Sequence, residues 1–203
     1  MDLLSRRRFA VIDLETTGFS PVNDRIVEMA CVVVVDGIIA RSWSTLVNPQ
    51  REIPRYATAV HGIRDADVAH APPLRTVEPR LREMCDEAVV VAHNASFDLA
   101  FLPSLQASPS LCTVQLARRV FPDAPNHKNQ TLRAYLELDK DDAFKGLDAH
   151  RALSDALVTA GILLRCLERM RGSATPRPVG CAPYYQGAPI RCSAARLRAT
   201  IAS

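Results

Sequence analysis

Apolar residues run unbroken from Phe9 to Ile12 and then give way to Asp13, Leu14, Glu15, Thr16, Thr17 and Gly18. The run predicts a buried strand starting near Arg8, and its polar end predicts an opening into a loop. Arg25–Asp36 (RIVEMACVVVVD) reads as a second strand, and Asp36-Gly37 as a tight turn into a third, Ile38–Val47, closed by Asn48-Pro49. Trp43 and Leu46 are expected to pack inside. Three such strands form a meander, the middle one antiparallel to its neighbours. After Pro54 the pattern turns helical as far as a break at Gly62, then becomes a short polar segment, Ile63–Ala69. Leu74, Val77, Leu81 and Met84, three and four residues apart, predict a helix over Leu74–Cys85. Ala88–Ala92 reads as a buried parallel strand, followed by His93-Asn94 and a helix over Ala95–Leu105.

Beyond Ser108-Pro109-Ser110 the pattern predicts a short edge strand (Leu111–Val114), a helix (Val114–Phe121), a polar loop (Asp123–Gln130) and a helix (Thr131–Leu138). A charged, exposed stretch (Asp139–Asp148) then leads to the longest helix, Ala149–Met170. That helix carries Leu153, Ala156, Leu157, Ala160, Leu163, Leu164 and Leu167 on one side and ends at Gly172. Strands alternating with helices after a meander predict an α/β fold, a mixed sheet flanked by helices.

Composition refines this outline. A hydrophobic fraction of 48% supplies a core and excludes wholesale disorder. One domain is expected over 1–172, followed by a Pro-, Gly- and Ala-rich tail, 173–203, read as flexible. The tail holds Arg177, Arg191, Arg196 and Arg198 and no acid. That leaves 21 basic against 22 acidic residues in the domain, so the net charge of +3 belongs to the tail. A domain-wide basic footprint for nucleic acid is therefore excluded, and any such contact must be local. The start, MDLLSRRRFAV, lacks a leader's apolar stretch, and the longest apolar run, Met29–Val35, is far too short to span a bilayer. A cytoplasmic protein with no membrane partner is expected. The six cysteines include no C-x-x-C pair, which argues against a zinc ribbon. Cys31, Cys85, Cys112 and Cys166 read as small buried apolar residues in a reducing compartment, and Cys181 and Cys192 as free tail thiols.

Chemistry enters with the acids. Residues two apart on a strand share a face, so Asp13 and Glu15 leave the sheet together. Like charges side by side raise each other's pKa unless a cation neutralises them, and oxygen ligands suit magnesium or manganese. Alone, Asp-x-Glu is equally a solvated strand end. Asp98 lies early on the helix after the fourth strand, among Phe97, Leu99 and Phe101; Asp155 lies in the last helix, between Leu153 and Leu157. Each alone reads as a helix cap or surface acid. Together the four suit two-metal phosphoryl chemistry, in which ions about 3.5–4 Å apart stabilise the attacking and leaving oxygens. His150 is expected at the start of the last helix, where a near-neutral pKa suits a general base.

Three segments carry a family resemblance: Val11–Gly18 (VIDLETTG), Val91–Leu102 (VAHNASFDLAFL) and Ala149–Ala156 (AHRALSDA). With Asn48-Pro49, Ile53-Pro54, Val60-His61-Gly62-Ile63 and Ala71-Pro72-Pro73 between the first two, the chain over roughly residues 7–170 resembles the DEDD-type 3′→5′ exonucleases, histidine subclass. It is most similar to the branch of the proofreading (epsilon) subunits of bacterial DNA polymerase III. The resemblance implies a ribonuclease-H-like fold with a five-stranded mixed sheet, and release of nucleoside monophosphates from DNA 3′ ends. It implies two divalent cations, Mg2+ or Mn2+. Asp13 would bridge both, Glu15 and Asp155 would complete the site of the ion holding the nucleophilic water, and Asp98 would serve the second, with His150 as base. Leu14, Thr16, Thr17, Gly18, His61, Asn94 and Phe97 would hold or shape the terminal-nucleotide site. His93 reads equally as structural. Phe19 and Tyr56 are stacking candidates expected more as core.

RNA or oligoribonucleotide cleavage is the alternative reading, and a non-catalytic adaptor a remoter one, since all five catalytic positions are filled. His127-Lys128-Asn129-Gln130-Thr131-Leu132 departs from many relatives at Asn129, a change expected to leave the acids untouched. No clamp-binding segment and no polymerase-binding tail are recognisable in Ser173–Ser203. A stand-alone enzyme therefore stands beside a DNA polymerase subunit as the expected setting.

Overall fold

The computed structural model describes residues 8–172; Cys181, Cys192 and the rest of the expected tail lie outside the described residues. β1 (Arg8–Thr16), β2 (Ile26–Val35) and β3 (Ile38–Leu46) form the meander, and β4 (Val89–Ala92) and β5 (Ser110–Cys112) complete the sheet. The order is β3-β2-β1-β4-β5. β2 runs antiparallel to β1 and β3, while β4 is parallel to β1 and β5 to β4. This is the expected five-stranded mixed sheet. The central place of β1 explains why its first half is apolar on both faces.

Among the described residues, seven α-helices flank the sheet: α1 (Arg55–His61), α2 (Asp65–Val68), α3 (Leu74–Cys85), α4 (Ala95–Phe101), α5 (Thr113–Val120), α6 (Asn129–Tyr135) and α7 (Ala152–Met170). Phe9 and Val11 of β1, with Ala30, Val32 and Val34 of β2, join the core under α7. Ala10, Ile12 and Leu14, with Met29, Cys31 and Val33, meet α3 and α4 on the opposite face. Strand alternation therefore continues the Phe9–Val11 row into Asp13 and Glu15, and the Val32–Ala30 row into Glu28, all toward α7. Register slips between Glu15 and Thr16. Such a bulge bends the strand end away from its partner and re-aims the residues beyond it.

Several boundaries differ from expectation. The helix expected over Ala95–Leu105 ends at Phe101, because Leu102 precedes Pro103, whose ring disfavours a helical conformation there. A 3₁₀ turn over Pro103–Leu105 comes next. The polar segment Ile63–Ala69 contains α2, and its Ile63 and Val68 are buried with Val27, Ile53 and Ala57. Ala143 and Phe144 are buried within the stretch expected to be exposed; the acids and lysines around them hide two core residues from a composition-based reading. A Cβ on Gly161 of α7 would stand 2.9 Å from both Leu138 Cδ1 and Phe144 Cζ, so the missing side chain admits the ring. The last helix begins at Ala152, not Ala149. Cys31, Cys85 and Cys166 are buried and free, as expected, and Cys112 is partly buried. Among the described residues, no helix is long and apolar enough to cross a membrane.

Phe144→Ala is expected to cost about 3–5 kcal/mol, the usual range for a fully buried aromatic ring, read from the denaturant midpoint. A loss below about 1 kcal/mol would mean that the ring does not anchor the segment leading to α7.

Candidate active site

The sheet delivers two carboxylates and α7 the third. Asp13, Glu15 and Asp155 each offer an oxygen within 4.8 Å of the others. Asp98 is outside that trio and almost fully enclosed, at 5% exposure. It is nonetheless near enough that its charge raises the pKa of Asp13. The Leu14 amide and Asp98's own amide stabilise its carboxylate. Leu14 therefore faces the site by its backbone alone, since its side chain belongs to the core.

Burial dominates the electrostatics, and like charge adds to it at Asp13 and Glu15. Burial, then the charges of Asp98, Asp155, Glu15 and Glu28, hold the Asp13 carboxyl well above its usual range. Glu15 is raised to about 8, first by burial and then by Asp155 and Glu28, with Arg151 opposing. Asp98 is raised to about 7, chiefly by burial. Burial also raises Asp155, against hydrogen bonds from the His150 amide and Gln130 and the charges of His150 and Arg133. All four carboxyl groups thus hold their protons more tightly than isolated carboxyls do. Oxygen-only donors at this spacing, short of compensating positive charge, fit a hard divalent cation.

Asp155 is held on three sides. Its Oδ1 accepts Gln130 Nε2 at 2.7 Å and its Oδ2 accepts the His150 amide at 3.0 Å. Asn129 Nδ2 donates to the Asp155 carbonyl at 3.3 Å and to Thr159 Oγ1 at 2.9 Å. Asn129 departs from the motif without displacing an acid: it bonds the Asp155 backbone carbonyl, and with Gln130 it braces the first turn of α7. His150 is exposed and precedes the helix, with φ of 59°. The expected place at the helix start is corrected, because Arg151 is the cap residue and the chain reverses at His150.

Glu28 is the residue that the motif reading missed. It is 4% exposed and lies opposite Glu15 in the β1–β2 register. Its carboxylate accepts Arg151 Nη2 at 2.7 Å and Nε at 3.1 Å, and the Ala152 amide at 2.9 Å. The available signal was a lone charge inside a ten-residue apolar strand.

The Thr16–Gly18 turn is knotted to Asp24. Thr17 is fully buried, its hydroxyl donating to Asp24 Oδ1 at 3.1 Å and accepting the Arg25 amide at 3.0 Å. The Thr16 hydroxyl donates to the Gly18 carbonyl at 2.6 Å. A Cβ on Gly18 would collide with the Asp24 carboxylate and displace it from its Thr17 and Ser20 bonds. Tyr56 donates from its hydroxyl to the Thr17 carbonyl at 3.1 Å. Contrary to a core placement, Phe19 is 84% and Tyr56 58% exposed. Phe19 meets half-buried Phe97 edge-on, ring centroids 6.3 Å apart.

His61 is buried. Its Nδ1 accepts the Ile63 amide at 3.0 Å, its Nε2 has no hydrogen-bond partner, and burial lowers its pKa. Asn94 is exposed, and its carbonyl accepts the Phe97 amide at the start of α4. His93 is structural in its contacts: it bridges Thr113 Oγ1 and the His127 carbonyl, each at 2.9 Å, and burial lowers its pKa to about 4.

A family model described as Exonuclease matches residues 10–163. The chain is 36% identical over 170 residues to the DNA polymerase III PolC-type protein of Caldanaerobacter subterraneus subsp. tengcongensis, covering 80% of this chain and 12% of that one. It is 35% identical over 170 residues to the DNA polymerase III subunit epsilon of Aquifex aeolicus, covering 80% and 81%. Exonuclease X, solved in complex with 5′ overhanging duplex DNA, aligns at 37% identity with a TM-score of 0.68, covering 85% of this chain and 96% of that one. The architecture is the ribonuclease-H-like exonuclease fold. The chain spans 12% to 25% of the length of the first three curated relatives it matches.

The raised carboxyls fix the sign of a pH effect. Between the ordinary Glu value of 4.5 and about 8, the folded chain keeps a proton on Glu15 that the unfolded chain has lost. Stability of the metal-free protein therefore falls as pH rises through that window. Its melting temperature is expected to drop from pH 5 to pH 8, and manganese to raise it more at pH 8 than at pH 5. An equal manganese shift at both pH values would contradict the repulsive cluster.

Proposed function

The chain belongs to the family of DEDD-type 3′→5′ exonucleases, and on that premise we propose that it is a metal-dependent exonuclease releasing nucleoside monophosphates from DNA 3′ ends. The carrying observation is the trio Asp13, Glu15 and Asp155, within 4.8 Å of one another and backed by the His150 amide. Asp13, Glu15 and Asp155 are the residues to hold divalent cations, with Asp98 serving a second ion. Bound Mg2+ or Mn2+, two per site, would supply Lewis-acid stabilisation of charge on the attacking and leaving oxygens of the phosphodiester.

The protein's own groups do the rest. A ring nitrogen of His150 takes the proton of the attacking water. Its charge is felt by Asp155 and His61, which supports a ring position beside the site. The backbone of Thr16, Thr17 and Gly18 receives the terminal nucleotide, braced from behind by Asp24 and Tyr56. Phe97 and exposed Phe19 offer apolar faces to its base. His61 and Asn94 line this region from α1 and the start of α4. DNA is favoured by the duplex DNA in the related exonuclease X complex. A DNA polymerase partner is proposed on the names of the PolC-type and epsilon relatives.

Matched end-labelled DNA and RNA single strands test the reading. DNA is expected to shorten stepwise from its 3′ end, releasing nucleoside monophosphates, with the reaction stopped by a chelator; faster cleavage of RNA would reverse the substrate assignment. Asp13→Asn should abolish cleavage in a folded protein. His150→Ala should lower the rate by about 10²–10⁴ at neutral pH, the usual span for loss of a general base. Wild-type turnover in Asp13→Asn would refute the site.

A further inference from the structure

We infer that Glu28, through Arg151, is the positioning residue that sets His150 for catalysis; this rests on the reading of His150 as base. Glu28 stands inside the sheet on β2, the strand hydrogen-bonded to β1, with Glu15 as its register partner. It is 4% exposed, in a strand otherwise composed of apolar residues. Burying a carboxylate is costly unless it is paired and hydrogen-bonded. Here all the pairing goes to one short segment. Both guanidinium contacts come from Arg151, at 2.7 and 3.1 Å, and the third hydrogen bond from the Ala152 amide, at 2.9 Å.

That segment begins with the least relaxed backbone near the site. His150 has φ of 59°, a region sparsely populated by residues with side chains and held only when the surroundings impose it. Two restraints impose it. The His150 amide is tied to Asp155 Oδ2 at 3.0 Å, and the next two residues are tied to Glu28. Upstream, Arg133 holds the Phe144 and Leu147 carbonyls at 3.0 and 2.9 Å. His150 thus lies between an anchor on α6 and an anchor on β2.

The Arg151 contact is bidentate, so it fixes direction as well as distance. Because Glu28 and Glu15 face each other across one register pair, the strand position that fixes a cation ligand also fixes the base. A misplacement of about 1 Å can cost 10²-fold in rate, so a loosened clamp should act on turnover without removing any reacting group.

The test compares Glu28→Gln, Arg151→Gln and His150→Ala, alone and combined, on a labelled DNA strand, each well below its melting temperature. Glu28→Gln keeps an acceptor for the Ala152 amide but loses the charge that holds Arg151. Arg151→Gln breaks the same clamp from its half-exposed end and serves if Glu28→Gln does not fold. Each is expected to lower kcat about 10–100-fold per folded molecule with KM unchanged. Added to His150→Ala, neither should lower the rate further, because the group they position is gone. Losses that multiply with that of His150→Ala, a change in KM alone, or an unchanged kcat would each overturn the inference and leave the exonuclease reading intact. Wild-type turnover in His150→Ala alone would instead remove the base assignment, and the inference with it.

Discussion

Burial of four carboxyl groups, with like-charge repulsion added at Asp13 and Glu15, is the constraint around which this fold is built. Asp13, Glu15, Asp98 and Asp155 all have raised pKa values, and burial is the leading cause each time. A flexible chain would let such groups drift apart. Here the central strand holds two of them, and α4 and α7 bring the others over its end. The apolar first half of β1, packed on both faces, provides the rigidity that holds Asp13 against that repulsion.

The supporting groups share one logic. Gln130 and Asn129 brace Asp155 and its backbone, the Leu14 amide meets Asp98, and Asp24 locks the turn after Glu15. Each is a neutral donor, or an acid already satisfied by donors. None brings full positive charge into the trio. Arg151 is engaged by Glu28 and reaches Glu15 only through its field, as Arg133 reaches Asp155. The cluster is therefore held in place by neutral donors, the condition in which an external dication gains most from binding.

Much of this was legible in the chain. The meander comes from valine-rich runs and Asp36-Gly37, and β4 from Ala88–Ala92. Period two put Asp13 and Glu15 on one face, and they are found together with Asp155. The features that escaped depend on partners distant in sequence. Phe144 looks exposed because its neighbours are charged, and only the absent side chain of Gly161 makes its pocket. Glu28 looks like an interruption in a strand until Arg151 and Ala152 arrive from 123 and 124 residues away. His150 looks helical because helical residues come after it, yet its positive φ places it outside the helix. Phe19 and Tyr56 look like core because they are aromatic, whereas the Asp24 knot turns Phe19 outward.

The slip in pairing between Glu15 and Thr16 separates two mechanical regimes. As far as Glu15 the pleat decides where each side chain points; beyond it the backbone follows the hydrogen bonds around Asp24 instead. One local irregularity thus joins a stiff ladder that carries charge to a turn shaped by its own contacts.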